Sequence, residues 1–158
     1  MQGIFPFLWF DNQAEEAVNF YASIFADSKI GEISRYGEGS PFPAGTALVV
    51  NFELNGLHLR AINAGPMYSF TEAISLQIDV ETQDEVDYLW ESLLSDGGVP
   101  DRCGWLKDKY GLSWQVVPTI LGRLLTDPDA EKAGRVMGAM LTMSKIEIGP
   151  LQAAYDAK

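Results

Sequence analysis

Apolar and polar positions alternate strictly along Ile74–Val80, with Ile74, Leu76, Ile78 and Val80 on one side and Ser75, Gln77 and Asp79 on the other. A period of two belongs to a strand, so this segment predicts one with an apolar face toward a helix and a polar face toward something wet. The stretch "IFPFLWF" near the N-terminus reads the same way. Its Leu8 and Phe10 form the helix-facing pair, which turns Phe7 and Trp9 to the other side. Further strands are predicted over roughly 29–36 and 46–54, around a Gly/Pro-rich loop at Gly37–Gly45. Helical spacing takes over where Ala17, Phe20, Tyr21 and Ile24 recur on one face. Asp11 or Asn12 is positioned to cap that helix, and Glu15 and Glu16 fall in its favourable first turn. A second helix is announced by Thr82 and Glu85 in capping-box spacing and stopped by Gly97-Gly98. Helices are thus expected over about 12–25, 82–95 and 128–144, and strands near 3–10, 46–54 and 74–80.

The same order of elements occurs twice. "NGLHLRAIN" (Asn55–Asn63) lies on "YGLSWQVVP" (Tyr110–Pro118), matching Gly56 with Gly111 and Arg60 with Gln115. "EAVNFYASIF" (Glu16–Phe25) lies on "EVDYLWESLL" (Glu85–Leu94), each after an alternating strand. Both halves read strand, helix, then hairpin strands. The second half is shorter, so its strand near Val99 is expected to be rudimentary or missing. After Pro118 the pattern turns helical through "TILGRLL", then "DPDAEKAGRVMGAMLTMSK", where Asp127 is read as the cap and Pro128 as the first helical position. "GPLQAAYDAK" offers a last short helix. Residues 1–120 are read as one domain of two modules, about 1–66 and 67–120, and 121–158 as a helical extension that packs on the sheets or on another subunit.

Composition narrows the function classes. A length of 158 residues with 47% hydrophobic content suffices for one core or two small halves. The net charge of -11 repels nucleic acid and anionic membranes, so neither is expected as a partner. A single cysteine excludes an internal disulfide and suits a reducing compartment. No basic segment precedes a long apolar run at the N-terminus, and no apolar run reaches the ~20 residues of a membrane span. A cytoplasmic location is the expectation.

The duplicated βαβββ unit, with "PFLWFDNQAEEAVNFYASIF", "NFELNGLHLRAINAGP", "EAISLQIDVETQDEVDYLWESL", "CGWLKDKYGLSWQVVPTIL" and "AMLTMSKIEIGPLQAAY", resembles the vicinal oxygen chelate superfamily, and within it the PhnB-like group labelled demethylubiquinone methyltransferase. The resemblance implies an α+β fold of the glyoxalase/bleomycin resistance/dihydroxybiphenyl dioxygenase type, with cup-shaped surfaces, in a homodimer. It also implies where a divalent metal would sit in active members, on His, Glu or Gln side chains pointing into the cup. Those positions fall here on Gln115, on or near Ser75, and near Phe5, with Arg60 as the pseudo-equivalent of Gln115 in the first module. A phenyl ring, a hydroxyl, an amide and a cation do not make a cage for a dication, so no metal is expected at that place. His58, the one histidine, is placed on the opposite side of its strand from Arg60.

The candidate ligand-binding residues are Phe7, Trp9, Asn51, Arg60, Ser75, Gln77 and Gln115. Phe7 and Trp9 supply walls, the amides donors and acceptors, and Arg60 a cation for an anionic substituent. Gln115 reads equally as a ligand-orienting amide or as a strand amide meeting solvent. Trp114, on the opposite face from Gln115, is assigned to the core, and Cys103, with no basic neighbour to stabilise a thiolate, to inert packing. Lys107, Asp108 and Lys109 read as a solvated turn in which Asp108 bonds local backbone. Glu53 is the one candidate base, and its exposed reading is preferred. Neither Gly cluster, "YGEGSPFPAG" or "DGGVPDRCG", follows a strand and opens a helix as a Rossmann-type S-adenosylmethionine site requires. No cofactor is expected. Small-molecule binding without a metal is the leading expectation, with an enzyme of the superfamily (glyoxalase-like, dioxygenase-like or the methyltransferase of the family label) as the alternative and an oligomeric scaffold as a third.

Overall fold

The computed structural model describes residues 3–157. Its elements run β1 (Phe7–Phe10), α1 (Ala14–Ile24), β2 (Ser28–Arg35), β3 (Ala47–Leu54), β4 (Leu57–Asn63), β5 (Leu76–Val80), α2 (Gln83–Leu94), β6 (Val99–Pro100), β7 (Trp105–Lys107), β8 (Ser113–Pro118), α3 (Thr119–Leu125), α4 (Ala130–Met140) and α5 (Ile148–Asp156). The order strand, helix, three strands occurs twice, followed by three helices, so the α+β architecture of paired βαβββ modules is the fold. The chain divides into two compact units, Met1–Phe70 and Thr71–Lys158.

In the first unit the sheet order is β1-β4-β3-β2, with β1 parallel to β4 and the other pairs antiparallel. Leu8, Phe10, Val50, Phe52, Leu59 and Ala61 are buried, as are Ala14, Ala17, Val18, Tyr21 and Ile24 of α1. The Tyr21 ring stacks on Phe52 at 6.5 Å between centroids. Each large side chain so buried contributes about 1.5–3 kcal/mol relative to exposure. The β3–β4 hairpin turns at Asn55 (φ 46°) and Gly56 (φ 82°). Two successive left-handed residues are what a tight two-residue hairpin requires, and Asn-Gly adopts them at least cost.

The start of α1 departs from expectation. Neither Asp11 nor Asn12 caps it; Gln13 occupies the cap position and makes no side-chain cap bond. The amide of Ala14 instead donates to Asn63 Oδ1 at 2.7 Å, while Asn63 Nδ2 donates to Ala47 O at 2.9 Å. Asn63, buried at the end of β4, reaches across the fold to do what a neighbouring residue does in most helices.

In the second unit the order is β5-β8-β7-β6, again with one parallel pair, β5 with β8. Trp114, Val116, Leu106 and Val80 are buried, as are Val86, Leu89, Trp90 and Leu93 of α2. Thr82 and Glu85 form the full capping box. Pairing begins at Leu76, leaving Ile74 exposed, and β6 has only two residues, so that strand is rudimentary as expected. The three last helices gather their own core of Leu121, Leu124, Val136, Ile146 and Leu151. Gln83 ties this tail to α2 by donating to Ile146 O at 3.2 Å and accepting from Ile148 N at 2.8 Å. Met140 and Met143 pack on that core, whereas Met137 is 41% exposed. The cap of α4 is Asp129, whose carboxylate accepts from Glu131 N and Lys132 N; Asp127 is engaged by Asp129 N at 2.8 Å and Tyr155 Oη at 2.8 Å, so the helix starts later than expected. Lys158, at the end of the predicted last helix, lies outside the described residues. Among the described residues no helix is long and apolar enough to cross a membrane.

Candidate functional site

The first sheet buries one face and leaves the other open, and strand register determines what meets on that open face. β1 and β3 flank β4, placing Phe7 and Asn51 on either side of Arg60, and Trp9 and Val49 on either side of Ile62. Glu53 pairs with His58 across the same hairpin, and Lys29 of β2 pairs with Glu53. Three parallel rows result: Trp9, Ile62 and Val49, largely apolar; Phe7, Arg60 and Asn51, mixed; His58, Glu53 and Lys29, charged.

Contacts hold these side chains in place. Trp9 Nε1 donates to Gly65 O at 2.8 Å, and the indole meets Tyr68 edge-on at 4.9 Å. Asn51 Nδ2 donates to Glu32 O at 3.0 Å. Glu53 is flanked by Lys29 Nζ at 3.7 Å and His58 Nδ1 at 3.4 Å, with 21% of its side chain exposed. Phe5 precedes the β1 strand, which is shorter than the 3–10 expected. Its ring lies 5.1 Å from the Arg60 guanidinium and 6.2 Å, edge-on, from His58. Phe5, Lys29, Asn51, Glu53, His58 and Arg60 line a cavity of about 350 Å³, within the size range of small-molecule sites. Gly31 is also on its wall, where an added Cβ would come within 3.2 Å of the Asn51 carbonyl oxygen.

His58 therefore belongs to the same surface as Arg60, correcting the expectation that it faces away. Residues two apart on a strand point to the same side, and both side chains line the cavity. Glu53 is likewise paired and largely covered rather than simply exposed. Sequence reasoning missed Lys29, His58 and the stacking role of Phe5; the period-two rule applied along His58–Arg60 and across the Asn55-Gly56 turn would have found His58 and its pairing with Glu53.

The remaining candidates lie in the second unit. Gln77 and Gln115 are register partners, and Trp105 is the partner of Gln115 on its other side. Gln115 Nε2 donates to Ser75 Oγ at 2.8 Å, and Gln77 Nε2 donates to Asp79 Oδ1 at 2.7 Å. Each amide thus has one N–H committed locally and its carbonyl oxygen available. Lys107 pairs with Glu72, whose carboxyl the ammonium holds below its ordinary range. Asp108 is not a solvated turn residue. It is 3% exposed and accepts from Tyr110 N at 2.8 Å, Leu112 N at 3.1 Å and the buried Trp114 Nε1 at 2.9 Å. One carboxylate thereby shapes the hairpin turn, where Gly111 takes φ 86°. Trp114 is core, as expected. Cys103, half-buried, directs its thiol toward Met140 O at 3.6 Å.

The donors do not fit a divalent cation. Ser75 and Gln115 are neutral and bonded to each other, Phe5 has no lone pair to offer, and Arg60 is itself a cation. Among the described residues no three His, Cys, Asp or Glu side chains converge. A Rossmann-type S-adenosylmethionine site does not fit either. The β1–α1 connection, Asp11-Asn12-Gln13, has no glycine, and each sheet mixes parallel and antiparallel pairs rather than forming a doubly wound parallel sheet.

Residues 2–117 match the family model for 3-demethylubiquinone-9 3-methyltransferase. The chain belongs to that family. A Bacillus cereus PhnB protein, described as a candidate 3-demethylubiquinone-9 3-methyltransferase, is 39% identical, with a TM-score of 0.69 over 75% of this chain and 100% of its own. A Pseudomonas aeruginosa protein shares the fold at 20% identity and TM-score 0.61, covering 75% of this chain and 98% of that one. The fosfomycin resistance protein FosX of Listeria monocytogenes, solved with Mn(II) and sulfate, shares it at 14% identity and TM-score 0.53, over 78% of this chain and 96% of its own. None of the curated proteins matches the chain. The family match ends at Val117, so α3, α4 and α5 lie beyond it.

Proposed function

We propose that this PhnB-like protein binds a small organic ligand on the open face of its first sheet, without a divalent metal. The cavity bounded by Phe5, Asn51 and Arg60 carries the reading, because it joins apolar walls to a few fixed polar groups. Phe7 and Trp9 extend the apolar surface along the same face. Gln77, Gln115 and Ser75 form a second set of amide and hydroxyl groups in the other unit, available to a polar ligand through their unengaged lone pairs. A thermal-shift screen of aromatic and aliphatic acids, alcohols and quinols tests the reading, with Trp9→Ala as control. Ligands that stabilise the parent should lose most of their effect in a folded Trp9→Ala protein; equal binding to both contradicts the site.

Methyl transfer is the second reading, favoured by the family description and by that of the Bacillus cereus relative. Calorimetric binding of S-adenosylmethionine together with passage of a labelled methyl group to a quinol would establish it. A homodimer in the cytoplasm is the setting proposed. β2 is an open, mostly exposed sheet edge of eight residues that a partner would cover, and the single thiol of Cys103 suits a reducing compartment. Light scattering at micromolar concentration should return twice the chain mass, and a monomer mass contradicts the dimer.

A further inference from the structure

We infer that the ligand of the first unit is an organic monoanion, a carboxylate on an apolar body, with Arg60 as the residue that selects its charge. The inference rests on the binding role proposed for that face and adds the class of ligand. Three observations carry it. First, Arg60 has no acidic partner: among the described residues its guanidinium meets only the Phe5 ring, 5.1 Å from the centroid. An arginine stacked on one face keeps its edge N–H groups directed outward, in the fork that fits a carboxylate. Second, the nearby acid is already used, because Glu53 is held between Lys29 at 3.7 Å and His58 at 3.4 Å. Counting the lysine and arginine of the lining, Lys29 and Arg60, against its one carboxylate, Glu53, leaves one positive charge in excess, in a chain of net charge -11. Third, the row beside Arg60 is apolar, with Ile62 between Trp9 and Val49.

The shape of the surface follows from this order. A carboxylate at Arg60 leaves its carbon body lying over Ile62 and against Phe7 and Trp9, where the rows are about 7 Å apart along the strand. Asn51, beside Arg60 in register, donates one Nδ2–H to Glu32 O, which fixes the amide and leaves its oxygen to accept a hydrogen bond from a hydroxyl or protonated group on the ligand. One surplus charge suits one anionic group. A polyanion meets the same cation but is repelled by the rest of the molecule.

Equilibrium titrations with 2-naphthoate, its uncharged analogue 2-naphthamide and inorganic phosphate test the inference on the full chain, followed by tryptophan fluorescence and calorimetry. The parent should bind naphthoate about tenfold or more tightly than naphthamide, the scale of a charge-assisted hydrogen bond, and phosphate more weakly than naphthoate. Arg60→Gln should reduce the naphthoate preference to near unity, with naphthoate affinity falling more than that of naphthamide, and Arg60→Lys should recover part of the preference. Circular dichroism and a retained melting temperature establish that these variants are folded. Equal binding of naphthoate and naphthamide, or a preference that survives Arg60→Gln, overturns the anion selectivity while leaving the binding face intact. Binding of neither aromatic probe at millimolar concentration overturns both.

Discussion

The two modules solve the same problem, starting a helix after the first strand, by different means. In the first, Asn63 at the end of β4 supplies the cap from 49 residues away in sequence. In the second, the position that the repeat aligns with Asn63 is Pro118, whose side chain has no polar atom to offer. There Thr82 and Glu85 form a local capping box instead. The difference extends to the open faces. The first module carries Arg60, over the Phe5 ring and without an acidic partner among the described residues, at the position where the second carries Gln115, bonded to Ser75. The two modules share the order of elements and the apolar alternation but differ in their polar positions: among the described residues Arg60 has no acidic partner, whereas Gln115 and Gln77 each commit one N–H to a neighbour.

The comparison is broken most severely at Asn63. Its replacement by Ala removes the acceptor for Ala14 N and the donor to Ala47 O in a buried place. The predicted loss is about 3 kcal/mol, combining a lost cap with two buried groups left unpaired, measured by urea denaturation. A loss under about 1 kcal/mol would mean that water or Gln13 replaces the cap. Thr82→Ala in the second module should cost less, about 1 kcal/mol, because the cap there is exposed and solvent substitutes for it. If Thr82→Ala proves the more damaging, the contrast between long-range and local capping is wrong.

The smallest effect is electrostatic. Backbone N–H groups of Glu81 and then Thr82, with the Thr82 hydroxyl, hold the Glu85 carboxyl below its ordinary value. A carboxylate whose pKa is lowered by folding contributes stability that is fully present above its unfolded value and is lost as the pH falls through the folded one. Stability of the parent should therefore decline on acidification below the ordinary carboxylate range more than that of Glu85→Gln, and parallel acid profiles for the two proteins would remove Glu85 from the account.

The capping box was legible in the sequence because both partners lie within four residues of each other, and the strands were legible because burial of one face imposes a period of two. Asn63 was not legible as a cap, since nothing local to it distinguishes a strand-end amide from any other. Asp108 looked like a turn residue for the same reason: its bonds to Tyr110 N and Leu112 N are local, but the bond from Trp114 Nε1 that buries it depends on how the hairpin closes. The α4 cap moved from Asp127 to Asp129 because Tyr155, far along the chain, bonds the first of these carboxylates. Of the candidate site, Phe7 and Trp9 came from alternation along the first strand and Arg60 from its match with Gln115 in the repeat, and the register places Asn51 beside Arg60. The pairing of Lys29, Glu53 and His58 required the register of three strands.

The indole N–H resonances of the tryptophans test the contrast between the two faces most directly. Trp9 stands on the open face of the first sheet, and Trp105 is the register partner of Gln115 in the second. In nitrogen–proton correlation spectra recorded during titration with 2-naphthoate, the Trp9 signal should shift in proportion to occupancy while that of Trp105 stays in place, and Arg60→Gln should weaken the Trp9 response. A shift of Trp105 with Trp9 unmoved would place the ligand on the other module and contradict the account.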